Sequence, residues 1–531
     1  MTAISRPDRP VSALVASLSV SDDSATNATV AVLTVVLVLN YMTTPLGWDQ
    51  QINVAFAQQA TLVGTFPENI VSAWTLRGVG YRFAVYPPFI VADAIVGYDN
   101  KPLFELVYRL QIAMVYLAVI GAAGLVARSR LRADGYDVSG ILFAVTAVFF
   151  TVSHWVAFQP ADIAALLTLM AVALSISELR GSTLLAGVVF ALLGTLKGIT
   201  VLVGLAGYLL VVSYEGEYRE YYPWLVGSTL VSGLLMLGAM YVLAPRTVFD
   251  LLEGTQFQRT FGGSLPAHLR PLTTRLPLVH VPSLVPAGVA WLGLGAVSLR
   301  SQRYGRFAVL SGLVLVPTLY VVTQGKGFAY HFAAFLPSIV GVVVWTGQIA
   351  QERGSRRYSG ALVLAILLVA AATVSPLSPF LSSPTEWRSD TQSQAETYSE
   401  LREATGISAS STVLYLADGT ATYYLQGESY LRYFYPLPLQ RAAANPRLRD
   451  SEVFRQTYQR ALDYTGRYVI LTSWFDTDAF PRLEQKLDEE YCVVFEGSAD
   501  AAFEGEVVAY ERRAHGGGCP DSAALPGNET P

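Results

Sequence analysis

The stretch Thr183-Leu184-Leu185-Ala186-Gly187-Val188-Val189-Phe190-Ala191-Leu192-Leu193-Gly194-Thr195-Leu196-Lys197-Gly198-Ile199-Thr200-Val201-Leu202-Val203-Gly204-Leu205-Ala206-Gly207-Tyr208-Leu209-Leu210-Val211-Val212-Ser213 carries one charge, Lys197. A helix needs about 20 apolar residues to cross about 30 Å of hydrocarbon. This run is too long for one ordinary span and short for two. Read as two short helices folded about Gly194–Gly198, it crosses twice. Three basic loops then share one side: Arg128, Arg130 and Arg132; Arg300, Arg303 and Arg306; and Arg353, Arg356 and Arg357. Basic loops stay cytoplasmic, so that side is the inside. The acidic loop 214–222, with Glu215, Glu217 and Glu220, runs against this assignment. A single crossing at 183–213 is the alternative, and it places the carboxy-terminal part inside.

Other long apolar runs lie near 28–46, 103–127, 138–157, 161–178, 224–243, 281–299, 306–323, 328–347 and 358–378. With the folded pair they make eleven crossings, amino end inside. The first run starts late and ends in Gly47-Trp48-Asp49 without a small-residue cleavage site, so it reads as a span and not a signal peptide. Composition agrees. The chain has 531 residues, of which 52% are apolar and 15% charged, against about 25% charged in a soluble domain. From Pro384 onward, however, charged residues are about 24%, the soluble norm. That part is net −10 and the rest net +5, giving the overall −5. The chain is therefore neither one soluble globule nor a disordered polymer. The expected organisation is a cytoplasmic segment 1–27, a transmembrane body 28–383, a soluble domain 384–514 and a disordered tail 515–531.

Residues 47–101, expected as a long first outer loop, hold most of the candidate chemistry. They open on Gly47-Trp48-Asp49-Gln50-Gln51, continue as a weakly amphipathic run to Gly64, and reach Gly80-Tyr81-Arg82-Phe83-Ala84-Val85-Tyr86-Pro87-Pro88-Phe89. Further along come Gln159-Pro160-Ala161-Asp162 at the start of a span, the central Lys197, and Lys326-Gly327-Phe328-Ala329-Tyr330-His331 running into Pro337. In this order the elements resemble the polytopic glycosyltransferases of the GT-C fold, mannosyltransferases among them. An acid follows the first span, a Tyr-Pro-Pro element leads to the second, and a soluble tail closes the chain. Many members carry two adjacent acids after the first span. Here the second position is Gln50, which favours a single-carboxylate site over a metal held by an acidic pair.

The resemblance implies transfer of a sugar from a polyprenyl- or dolichyl-phosphate carrier to a hydroxyl of a glycan, lipid or protein on the outer face. Such a reaction inverts the anomeric centre. A carboxylate must take the attacking proton, and Asp49 is the candidate. Cations must hold the departing phosphate. Lys197, Lys326 and Arg259 are the candidates, Arg259 lying in a loop at 244–280 that also carries Arg246, Arg270 and Arg275. Asp162, Tyr86, Arg82, Tyr330 and His331 are candidates for the substrate cavity, with helix capping the plainer role for Asp162. No His or Cys pair has ligand spacing, so no metal site is assigned, although a divalent ion is compatible with the family. No phosphate-cradling glycine loop is present, which suits a lipid-linked donor and leaves no sign of a nucleic-acid partner. The expected location is the plasma membrane. The alternatives are a transporter or flippase of lipid-linked glycans and a non-catalytic membrane subunit.

In the charged part, Val413–Leu416, Arg467–Thr472, Tyr491–Phe495 and Val507–Glu511 read as strands. Helices are expected near 393–404, 451–464 and 479–490, giving a small α/β domain. Tyr423, Tyr424, Tyr430, Tyr433, Phe434 and Tyr435 crowd one segment, and core packing is favoured over a sugar-stacking surface. Cys492 and Cys519 are the two cysteines of the chain. Both lie on the side assigned as outer, where a disulfide is permitted.

Overall fold

The computed structural model describes residues 31–64, 78–133, 138–152, 158–213, 222–243, 288–324, 333–352 and 384–513, apart from scattered positions within them, together with Cys519. Arg259, Lys326, Tyr330 and His331 lie outside the described residues, as do the span at 358–378 and the segment 1–27. The helices of the apolar part are α1 Trp48–Val63, α2 Val79–Val96, α3 Lys101–Ala133, α4 Val138–Val152, α5 Pro160–Ile176, α6 Ser182–Leu196, α7 Val201–Ser213, α8 Tyr222–Leu243, α9 Tyr304–Gln324 and α10 Leu336–Glu352. The described parts of 31–42 and 291–300 are helical as well. Two compact units result. One comprises Met1–Thr44, Ile90–Val242 and Gly263–Pro384; the other comprises Pro45–Phe89, Leu243–Gly262 and Thr385–Pro531.

The run from Thr183 to Ser213 breaks where its composition suggested. Lys197 is extended (φ −165°, ψ 128°), and Gly198–Thr200 forms a 3-10 turn. The Thr200 hydroxyl closes the turn by donating to Lys197 O at 2.6 Å and to Leu193 O. The chain then folds back on itself. The rings of Phe190 and Tyr208 stack at 4.3 Å, and Gly204 lies so near Leu193 that a Cβ there would come within 2.5 Å of Cδ1. Two short helices thus pack as an αα-hairpin, each about 20 Å long.

Among the described residues, α2, α3, α8 and α9 are long and apolar enough to cross a membrane. The outer surface of α8 shows the environment it needs. Leu234 and Leu235 are 70% and 69% exposed, a surface that would drive aggregation in water. Exposed Trp224 and Tyr241 sit at its two ends, about 25 Å apart along the helix, as aromatic side chains do at the two faces of a bilayer. Most of the segment 47–101 is helix, and α2 runs through Pro87 and Pro88. Its apolar content outweighs the local cost of two prolines, which membrane helices tolerate.

The second unit contains the α/β domain. Its elements are α11 Pro384–Thr405, β1 Thr412–Leu416, α12 Gly419–Leu425, β2 Glu428–Ser429, α13 Leu437–Ala444, α14 Glu452–Asp463, β3 Tyr468–Thr472, α15 Pro481–Glu490, β4 Tyr491–Ala501 and β5 Glu504–Arg512. One sheet runs in the order β2-β1-β3-β5-β4. The first three strands are parallel, and β5 is antiparallel to both β3 and β4. α14 shows why such segments are helical. Val453, Phe454, Thr457 and Ala461 form its buried stripe, and the Ser451 hydroxyl caps it by accepting from Phe454 N at 3.2 Å. Tyr423, Tyr424 and Phe434 are buried, with Tyr424 stacked on Tyr398 at 5.2 Å. The aromatic segment therefore supplies core in this unit. Burial pushes the Tyr464 hydroxyl up to about 12, so it remains a donor, to Tyr468 O at 2.8 Å and Thr412 O at 2.9 Å.

Cys492 and Cys519 form a disulfide that ties the start of β4 to the chain beyond β5. The bridge closes 27 residues, for which restriction of the unfolded chain predicts about 3.5 kcal/mol. Cys519→Ser is expected to lower the domain's stability by that amount in guanidinium unfolding. Reductant should shift the wild type to the same midpoint and leave the variant unmoved.

Candidate functional site

Asp49 occupies the first turn of α1, directly after the first apolar run, and is half-buried. The exposed backbone N–H groups of that turn favour a carboxylate there. The helix it belongs to is unusual. Gln50, Gln51, Asn53, Gln58 and Gln59 are all buried, none more than 5% exposed. Gln51, Gln58 and Gln59 have partners on the α/β domain of the same unit. Gln51 Nε2 donates to Tyr424 Oη at 3.4 Å, and Gln58 Nε2 donates to Gln426 O at 2.8 Å. Gln59 Nε2 donates to Gly427 O at 2.8 Å, while its Oε1 accepts from Ser429 N at 2.7 Å. Ile52 rests against Gly419, where a Cβ would come within 2.5 Å of Ile52 Cγ1, and Phe56 meets Phe434 with ring centroids 6.5 Å apart.

Arg82 and Tyr86 lie four residues apart on α2, hence on one face, and both are buried. They belong to the same unit as Asp49. Asp162 and Lys197 belong to the other unit. Asp162 is buried at the start of α5, where its Oδ2 accepts from Gln159 N at 3.1 Å. This is the capping role. Phe158, just before it, has φ 65°, and its N–H donates to Tyr116 Oη at 2.9 Å. Lys197 is half-buried at the turn between α6 and α7. Among the described residues no three His, Cys, Asp or Glu side chains gather as a metal site would require.

A buried polar group in the first unit escaped the sequence reading. Glu105 and Arg109 sit four apart on α3, and Arg109 is fully buried. Its Nη1 donates to Tyr41 O at 3.0 Å, and its guanidinium lies 5.1 Å from the centre of the Tyr41 ring. Tyr41 also packs edge-on against Phe150 at 5.4 Å and near Tyr116 at 6.4 Å. The visible signal was an acid and a base at helical spacing inside an apolar run, where charges are rarely idle. The contacts join the first helical segment, the first half of α3, the end of α4 and the residue before α5.

No protein-family model and no curated protein matches the sequence significantly. Solved structures do. ArnT from Cupriavidus metallidurans in the apo state is 14% identical, with a TM-score of 0.52, covering 92% of this chain and 98% of that one. The Archaeoglobus fulgidus oligosaccharyltransferase in the apo form is 12% identical, with a TM-score of 0.46, covering 91% of this chain and 74% of that one. The likeness to ArnT extends over nearly the full length of both chains, through the apolar helices and the α/β domain alike. The protein is an integral membrane protein with the fold of the GT-C glycosyltransferases.

Proposed function

We propose that the protein is a membrane glycosyltransferase that moves a sugar from a polyprenyl-phosphate carrier to a hydroxyl acceptor on the outer face. The observation that carries this reading is the seating of Asp49: a half-buried carboxylate at the head of a helix that follows the first span and is fastened along its length. In the reaction the acceptor oxygen bonds to the anomeric carbon as the bond from that carbon to the phosphate oxygen breaks. The acceptor proton passes to the Asp49 carboxylate, and the electron pair leaves with the lipid phosphate. Attack on the face opposite the leaving group inverts the centre. Lys197, Lys326 and Arg259 are the cations assigned to the departing phosphate, with Arg82, Tyr86, Tyr330 and His331 lining the sugar and acceptor space. The disulfide supports an outer, oxidising location for the α/β domain, and hence a cytoplasmic amino end in the plasma membrane.

The test supplies radiolabelled polyprenyl-phosphate sugars, mannose first, to membranes that contain the native acceptors. Label should move from the lipid into a new glycosidic product, in proportion to the amount of this protein. Movement of labelled lipid across the bilayer with no new bond would replace the enzyme by a flippase. For the basic turn, Lys197→Gln is expected to raise the donor KM about tenfold, the loss of one charge-assisted contact of about 1.5 kcal/mol. An unchanged KM would remove Lys197 from the phosphate site.

A further inference from the structure

The amide-rich face of α1 has a use that the proposed chemistry does not absorb. β2 is the edge of the sheet and pairs with β1 through Glu428 N to Ser411 O and Tyr430 N to Val413 O. Along a strand, successive peptide groups point to opposite sides. Gly427 O and Ser429 N therefore face away from β1, along an edge that must be satisfied if it is buried. The primary amide of Gln59 reaches both: it accepts from Ser429 N and donates to Gly427 O, which also accepts from Tyr415 Oη at 3.2 Å. It takes the place of a sixth strand's peptide group. Gln58 Nε2 reaches the preceding carbonyl, that of Gln426, and its own Oε1 accepts from Gln59 Nε2 at 2.8 Å, which locks the two side chains together. At the other end of the helix, Ile52 is pressed onto Gly419. Ile52 lies one helical turn after Asp49, so whatever fixes Ile52 fixes the carboxylate.

We propose that the α/β domain sets the position of Asp49, with Gln59 and Gly419 as positioning residues that act through α1. This rests on the reading of Asp49 as the base. A domain joined only by its linker would leave the helix free to shift. Gripped at both ends by buried contacts, the helix presents its first-turn acid in one place. Misplacing a reacting group by about 1 Å costs about a hundredfold in rate, so the grip is a catalytic requirement as well as a stabilising one.

The experiment measures kcat and donor KM for full-length variants, using the labelled polyprenyl-phosphate sugar and native membranes as above. Gln59→Leu is expected to lower kcat about 10- to 100-fold with donor KM within a factor of about two. Gln59→Asn, which keeps the amide but shortens its reach, should behave the same way. Gly419→Ala drives a methyl into Ile52 and should also lower kcat. Ile52→Ala in the same chain clears that space and should restore most of it, an outcome that general destabilisation does not produce. Asp49→Asn and the Asp49→Asn, Gln59→Leu pair complete a cycle, in which the pair should be no slower than Asp49→Asn alone. Full activity of Asp49→Asn would overturn the base. An inactive Asp49→Asn beside Gln59→Leu and Gly419→Ala of normal kcat would overturn the positioning role and leave the base standing. Multiplied losses in the pair would show Gln59 working apart from Asp49, and would also overturn the proposal.

Discussion

Asp49→Asn is expected to reduce sugar transfer by about 10²- to 10⁴-fold, the contribution of a positioned general base. The amide is nearly the same size and keeps the first turn of α1 intact. It loses only the attraction between a carboxylate and the helix start, about 0.3–1 kcal/mol, so the melting temperature in detergent should hardly move. Neighbouring Gln50 cannot substitute, because an amide takes up no proton near neutral pH. The useful contrast is Gln50→Glu, which restores the acidic pair seen in many members of the fold family. Gln50 is 1% exposed, and a carboxylate confined there is costly to bury. This variant is expected to lose stability without gaining rate. A rise in transfer on addition of a divalent ion to Gln50→Glu alone would show that the pair position, and not merely Asp49, addresses the reacting groups.

The largest effect on stability is expected at Arg109. Arg109→Met removes a cation from a fully buried place, leaves Tyr41 O without its donor and leaves Glu105, 9% exposed, without its neighbouring charge. Breaking a buried pair from one side costs about 3–5 kcal/mol. The variant should melt well below the wild type in detergent. Adding Glu105→Gln to the same chain removes the stranded charge and should recover at least half of the loss, because an apolar or neutral replacement of a whole pair is often close to neutral. If the double variant is no more stable than Arg109→Met, the guanidinium matters through Tyr41 and not through Glu105. Either result leaves the role of Asp49 to its own test, Asp49→Asn.

Legibility of the sequence varied with the kind of force involved. Apolar length marks a helix wherever the solvent is lipid, so α3, α5, α8 and α9 lie where hydropathy put them. The break at Lys197 was legible because two glycines flank the one charge in an apolar run, and the backbone opens there. The strands at 412–416, 468–472, 491–501 and 504–512 follow runs rich in Val, Ile and Tyr. β2 was invisible: two residues long, it is held by β1 and Gln59 and not by any pattern of its own. α1 was legible only as a weak amphipathic run, and its burial was misleading in principle. The usual rule buries only the apolar face, whereas here the glutamines are buried beside the apolar residues, and Gln58 and Gln59 bond backbone groups nearly 370 residues away. Arg109 failed to register for a related reason. Its value lies in Tyr41 O, 68 residues earlier, and a window of local sequence does not contain that partner.

The grip of Gln59 on Gly427 also sets a clock. The two residues are 368 positions apart, and a ribosome adds about 5–20 residues per second, so α1 waits roughly 20–70 s for the surface that seats it. During that interval the amides of Gln51, Gln58 and Gln59 lack their partners at Tyr424, Gln426, Gly427 and Ser429. A chain that stops short of β2 has inserted its early helices yet holds no seated acid. If the proposed positioning holds, a product that stops short of β2 should be inert in the transfer assay.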